Sequence, residues 1–246
     1  MTGKSTTRGD AIHAQLRADI LNGRLRPGQR LQFGELGRRY QASVGVLREV
    51  LARLTEQGLV CAEPQLGFRV VSLSAEDLIQ LTEARVAIET ILLRQAIEHG
   101  GLEWESTVLA VHHTLARTPT LDTDGQASAA WLAAHDRYHE ALLEAGPNRR
   151  LRSIANSVRD ADQLYRAWAD TLPQTDENDI VREHRQILDA VLARDVEEAI
   201  HHLGRHIEAS KQLRLTGYAG DAATAATAAT ERSGDRAGRR RRPTTS

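Results

Sequence analysis

Apolar residues recur at helical spacing along most of the chain. Ile12, Leu16 and Ile20 fall at i, i+4 and i+8 behind Asp10, which reads as an N-cap, and Asn22-Gly23 ends the run. Arg26-Pro27-Gly28 reads as a turn. A short helix is expected over Phe33 to Arg39 and another over Ser43 to Gln57, closed by Gly58. The second would turn Val46 or Leu47, Val50 or Leu51, and Leu54 inward. Two extended pieces, Leu59 to Ala62 and Phe68 to Ser72, flank Pro64-Gln65-Leu66-Gly67 and read as a β-hairpin. Three helices followed by a hairpin is the order of a winged helix-turn-helix, with Tyr40-Gln41-Ala42 as the turn. The competing reading is a small helical bundle with an incidental hairpin.

From Ser74-Ala75-Glu76-Asp77, a capped and acidic helix start, the pattern is helical throughout. Helices are expected over about 75–98, 103–117, 127–145, 148–170, 178–193 and 195–216. They are separated at Gly100-Gly101, Pro119 to Gly125, Gly146-Pro147-Asn148, Pro173 to Asn178 and Arg194-Asp195. The Ala/Ala/Thr repeat of Ala222 to Thr230 and the arginine run Arg239 to Arg242 offer no material for a core. The expected architecture is mainly α: a flexible arm (1–9), a winged helix-turn-helix (10–73), an all-helical bundle (74–218) and a disordered tail (219–246).

Composition supports the helical reading. Hydrophobic residues make up 41% of the 246 and aromatics only 4%, so Leu, Val, Ile and Ala must fill the core. The single cysteine, Cys61, excludes an intramolecular disulfide framework and suits a reducing compartment such as the cytoplasm. Neither an apolar signal region nor a run approaching about 18 apolar residues is present, so no membrane association is expected. Charge adds more. Residues 1–75 carry 11 Lys/Arg against 6 Asp/Glu, residues 76–218 carry 15 against 24, and residues 219–246 carry 6 against 3. A basic head on an acidic body suits a partner rich in phosphate.

In a helix-turn-helix the second helix presents its first residues to base edges in the major groove. Here those are Ser43, Val44 and Gly45, with Arg48 one turn on. Arg48 matches phosphate or guanine O6 and N7, whereas Val44 offers only apolar contact. Arg38 and Arg39 suit backbone phosphates, and Gly67 permits close approach of the wing. The segments Leu25-Arg26-Pro27-Gly28-Gln29-Arg30-Leu31, Glu35-Leu36, Leu47-Arg48-Glu49-Val50-Leu51, Leu54, Gln57-Gly58-Leu59-Val60 and Gly67-Phe68-Arg69-Val70 resemble the N-terminal domain of GntR-family bacterial transcription regulators. The rest, to about residue 216, resembles the all-helical ligand-binding (FCD) domain of the family's FadR-type branch. The resemblance implies a homodimer, most simply a repressor, on a double-stranded operator of inverted half-sites, answering to a small effector. Two family arginines are absent: Val44 and Gly34 stand in their places, which bears on operator sequence.

Ten histidines are many for this length. His135 and His139, at i and i+4, share a face with Trp131 and Leu142. His184 sits on the apolar stripe of Leu188 and Val191, and His206 on that of Ala199 and Leu203. Four inward histidines on three helices can converge on one ion, though an inward histidine alone is most often a hydrogen-bonded core residue. His202 and His206 form a rival pair; His112, His113 and His201 read as surface residues, and His99 as a helix C-terminal cation. FadR-type domains that bind metal use one Asp and three His. That resemblance selects His139, His184 and His206 and puts His135 where the Asp is expected; Asp136 lies about 100° around the helix. A carboxylate-free site favours Zn²⁺ or Ni²⁺ over Mg²⁺ or Ca²⁺.

Arg85 interrupts the stripe Leu78, Leu81, Ile88 and Leu92. A buried guanidinium needs a partner, either an internal carboxylate or an anionic ligand held bidentately. The expected function is a ligand-responsive regulator whose effector is a small carboxylate held by Arg85 and a metal. The alternative is a metal-dependent hydrolase, since three histidines with an open position can activate water. A histidine core without metal is the third reading.

Overall fold

The computed structural model describes residues 7–123, 128–168 and 177–216. The expected tail, most of the expected arm, and the breaks at Gly125 and Pro173 lie outside the described residues.

The head consists of α1 (Arg8–Leu21), β1 (Arg30–Leu31), α2 (Phe33–Tyr40), α3 (Val44–Glu56), β2 (Val60–Glu63) and β3 (Gly67–Val70). α1 begins earlier than expected. Thr7 is the N-cap and Asp10 is the third helical residue of a reciprocal capping box: each side chain accepts from the other's backbone N–H, at 3.1 and 3.2 Å. Residues 8 and 9 therefore belong to the helix rather than to a loose arm. α3 starts where expected, with Ser43 as N-cap. Gln41, in the left-handed region at φ 50°, turns the chain between α2 and α3.

The strands form an antiparallel sheet in the order β1-β3-β2, with Arg30 opposite Arg69, Val60 opposite Val70 and Glu63 opposite Gly67. The hairpin was expected; β1 was not, because two residues carry no alternation to read. Leu16, Ile20, Leu47, Leu51, Leu54, Leu59 and Val70 are fully buried beneath it.

The second part is helical: α4 (Ala75–His99), α5 (Leu102–Arg117), α6 (Ala129–Leu143), α7 (Arg149–Trp168), α8 (Glu177–Leu192) and α9 over residues 196–216. Ser74 caps α4 by accepting from the Asp77 N–H at 3.0 Å. Gly100 is its C-cap, and glycine is required there because a Cβ would lie 2.2 Å from the Trp104 ring. Leu92, Leu93, Tyr138, Leu142, Leu188 and Val191 are buried in one core. No described helix is long and apolar enough to cross a membrane.

α7 touches both parts. It packs along α4, yet Leu164 is 1% exposed within the core of the head. Asp160 pairs with Arg17 of α1. The Tyr165 hydroxyl donates to Asp77 Oδ2 at 2.6 Å and accepts from the Ser74 N–H at 3.1 Å. Leu164→Ala should therefore cost the head about 2–5 kcal/mol in denaturant unfolding. An unchanged midpoint would show that α7 is not part of the head's core.

Candidate DNA-binding surface and metal centre

The exposed end of α3 carries the residues expected to face DNA. Ser43, Val44, Gly45 and Arg48 are exposed, Val44 at 51%. The Arg48 guanidinium lies 5.8 Å from the Phe33 ring centroid, which steadies it without neutralising it. Arg38 is exposed. Arg39 is partly committed: one of its nitrogens meets Asp19 at 2.7 Å, and the Tyr40 hydroxyl donates to the same carboxylate oxygen at 2.7 Å. The wing tip is Pro64, Gln65 and Leu66. Gly67 follows it as the first residue of β3, with φ +95° and open space where a Cβ would project. The same openness surrounds Gly34.

α6, α8 and α9 bring the other predicted residues together. His135 and His139 project from α6, His184 from α8 and His206 from α9, and one ligand atom from each lies within 4.8 Å of the others. His139 and His184 are each 2% exposed and His206 is 6% exposed. His202 is outside the group and faces Glu198 at 3.4 Å. His112, expected at the surface, is buried edge-on against Tyr138, with ring centroids 5.4 Å apart. Its place on the inner face of α5 brings it there.

The residues fit an ion. Burial, then the crowding of imidazoles that cannot all be charged together, pushes the His135 and His139 imidazoles well below their ordinary 6.5, and burial does the same to His184. Neutral rings keep the lone pairs that a metal needs. The second nitrogens of two rings are oriented: His184 Nδ1 lies 2.8 Å from the Ile180 carbonyl oxygen and His206 Nδ1 2.9 Å from Glu183 Oε2. His184 Nε2 and both ring nitrogens of His139 are buried without a hydrogen-bond partner among the described residues. Such groups cost about 1–3 kcal/mol each if left unsatisfied. An all-imidazole set suits Zn²⁺ and Ni²⁺.

Arg85 is buried behind this group, but two carboxylates already hold it. Its Nε lies 2.9 Å from Glu89 and its Nη1 2.8 Å from Asp162, which also pairs with Arg214. This is the internal ion-pair arrangement, and a clamp on a ligand would have to compete with it. The sequence reading missed Arg166. Its guanidinium lies 3.1 Å from His135 Nδ1 and 2.7 Å from Asp136. Gln163 also reaches Asp136, and Arg159 donates to the Asp136 carbonyl. Arg159, Gln163 and Arg166 fall at i, i+4 and i+7, a polar stripe that was visible in the sequence.

The gntR family model of bacterial regulatory proteins matches residues 8–70, and the FCD domain model matches residues 80–209. The chain belongs to the GntR family. HTH-type transcriptional regulator BphR of Paraburkholderia xenovorans is 32% identical over 203 residues, covering 82% of each chain. HTH-type transcriptional repressor GlaR of Escherichia coli is 32% identical over 195 residues, 78% of this chain and 89% of that one. Among solved structures, E. coli McbR/YncC shares the fold at a TM-score of 0.73 and 15% identity, covering 86% of this chain and 99% of that one. A GntR-family regulator, then, is a DNA-binding transcription factor with an effector domain, and the family's members are regulators rather than enzymes.

Protein purified without a metal column and then supplied with Zn²⁺ or Ni²⁺ should hold one equivalent per chain, and His139→Ala should hold none. No metal in the wild type under those conditions would make the histidines a plain core.

Proposed function

We propose that this GntR-family protein is a cytoplasmic repressor. It binds an operator of two inverted half-sites as a homodimer, and a small carboxylate acting at a Zn²⁺ or Ni²⁺ centre changes its operator affinity. Residues 8–73 are assigned to DNA binding and 74–218 to effector binding and dimerisation. Ser43, Val44, Gly45 and Arg48 are assigned to the major groove, Arg38, Arg39 and Gly67 to the backbone, and His135, His139, His184 and His206 to the centre. Arg85 braces α4 against α7 behind it. The repressor reading draws support from the name of the E. coli relative.

One observation carries the coupling: α7 faces both parts. Arg166, on one side, reaches His135, while Leu164, on the other, is buried in the head. A ligand that moves Arg166 therefore acts on a helix that is part of the head's core. Paired heads must meet half-sites about 34 Å apart, so a small rotation of each lowers affinity for DNA. A tenfold change requires only about 1.4 kcal/mol of differential binding.

The test is an operator selected from random duplexes and titrated at several salt concentrations. Arg48→Ala should weaken binding at least tenfold; if Arg48 meets phosphate, the slope of log K against log salt should also fall by about one. Full affinity in Arg48→Ala would move the recognition surface elsewhere.

A further inference from the structure

We infer that His135 is not a fourth metal ligand but a hydrogen-bond donor to the ion's exogenous ligand, forming with Arg166 the anion-binding side of the centre. The inference rests on the metal reading above.

The argument begins with a tautomer. Arg166 Nη1 lies 3.1 Å from His135 Nδ1, and a guanidinium has only donors to offer, so Nδ1 accepts. Asp136 Oδ1, at 3.7 Å, is too far to claim a proton on that nitrogen. In a neutral ring the proton then sits on Nε2, leaving no lone pair there for a metal. His184 and His206 are the reverse. Their Nδ1 atoms donate to a carbonyl and a carboxylate, so each Nε2 carries a lone pair. Among the described residues no hydrogen bond holds either nitrogen of His139, so the ring can present one to the ion. Four rings of the same type, with centroids 4.5 to 5.8 Å apart, thus divide into three ligands and one donor.

Charge says what occupies the fourth position. Three neutral imidazoles leave a divalent ion with its full charge. The carboxylates nearby are committed: Asp136 to Arg166 and Gln163, Glu183 to His206, and Asp162 to Arg85 and Arg214. An anionic oxygen is what the ion lacks, and a carboxylate supplies one oxygen for the ion and one for the His135 N–H. Access agrees. The side chains of His135 and Arg166 are 13% and 17% exposed, whereas His139 and His184 are almost wholly buried. The anion approaches from the α6–α7 side, where Arg166, itself paired with Asp136, holds the His135 ring in place.

The experiment uses Co²⁺ as the metal and acetate as the probe, with full-length wild type, His135→Ala, His135→Gln and His139→Ala. Chelator competition gives metal affinity, and the visible bands of bound Co²⁺ report its coordination. Helical circular dichroism and a cooperative thermal transition check that each variant is folded. His135→Ala should hold Co²⁺ within tenfold of wild type, while His139→Ala loses more than a hundredfold. Acetate should shift the wild-type bands, with at least tenfold weaker affinity in His135→Ala and recovery in His135→Gln, whose amide again offers an N–H. Loss of Co²⁺ from His135→Ala as severe as from His139→Ala would overturn the assignment, as would acetate affinity indifferent to residue 135. A wild type that binds no Co²⁺ would overturn the metal centre itself, and the assignment with it.

Discussion

Four imidazole rings share one buried space, with ligand nitrogens within 4.8 Å of one another and three ring nitrogens lacking any hydrogen-bond partner among the described residues. Polar groups are seldom left that way in a protein interior, because each forfeits its hydration without return. A core meant only to be filled would place apolar side chains here. Most of the polar arrangement around the rings follows from the same constraint. The Ile180 carbonyl and the Glu183 carboxylate accept hydrogen bonds from the outer nitrogens of His184 and His206, while Arg166 donates one to His135. The nearby carboxylates are paired with arginines or otherwise hydrogen-bonded, and burial above all favours the neutral rings of His135, His139 and His184.

This arrangement lies against the element that reaches the DNA-binding head. α7 turns Arg159, Gln163 and Arg166 towards His135 and Asp136, and Asp160 and Leu164 towards the head, while Tyr165 binds the start of α4 where the two parts join. Residues one or two positions apart thus report to different parts of the molecule. Behind them, the buried network of Arg85, Glu89, Asp162 and Arg214 joins α4, α7 and α9. Removing one member of such a network strands the others in low dielectric, so it acts as a rigid brace more than as a source of net stability. In the proposed mechanism, this shared helix is what would carry a binding event at the rings to the head.

Much of this was legible in the sequence. Ile12, Leu16 and Ile20 announce α1 because burial repeats with the helical period, and His139, His184 and His206 share faces with residues that had to be inside. What escaped depends on tertiary contact. Thr7 and Asp10 can both cap a helix, and only the reciprocal hydrogen bonds show which residue comes first. β1 is too short to have a pattern and exists because Arg30 and Leu31 lie beside β3. Arg166 and His135 are 31 residues apart, and nothing local joins them. His112 looked like a surface residue beside His113 until the inner face of α5 was defined by Trp104, Val108 and Leu115. Arg85 was rightly singled out as buried, but its partners were decided by packing.

The account's central claim concerns the atom that completes the histidine cluster, and anomalous diffraction addresses it most directly. Crystals of zinc-replete protein would be measured above and below the zinc absorption edge. The account predicts a single strong difference peak, about 2.0–2.1 Å from a ring nitrogen of each of His139, His184 and His206. A cluster without that peak, its nitrogens joined instead to ordered water or to one another, would contradict it.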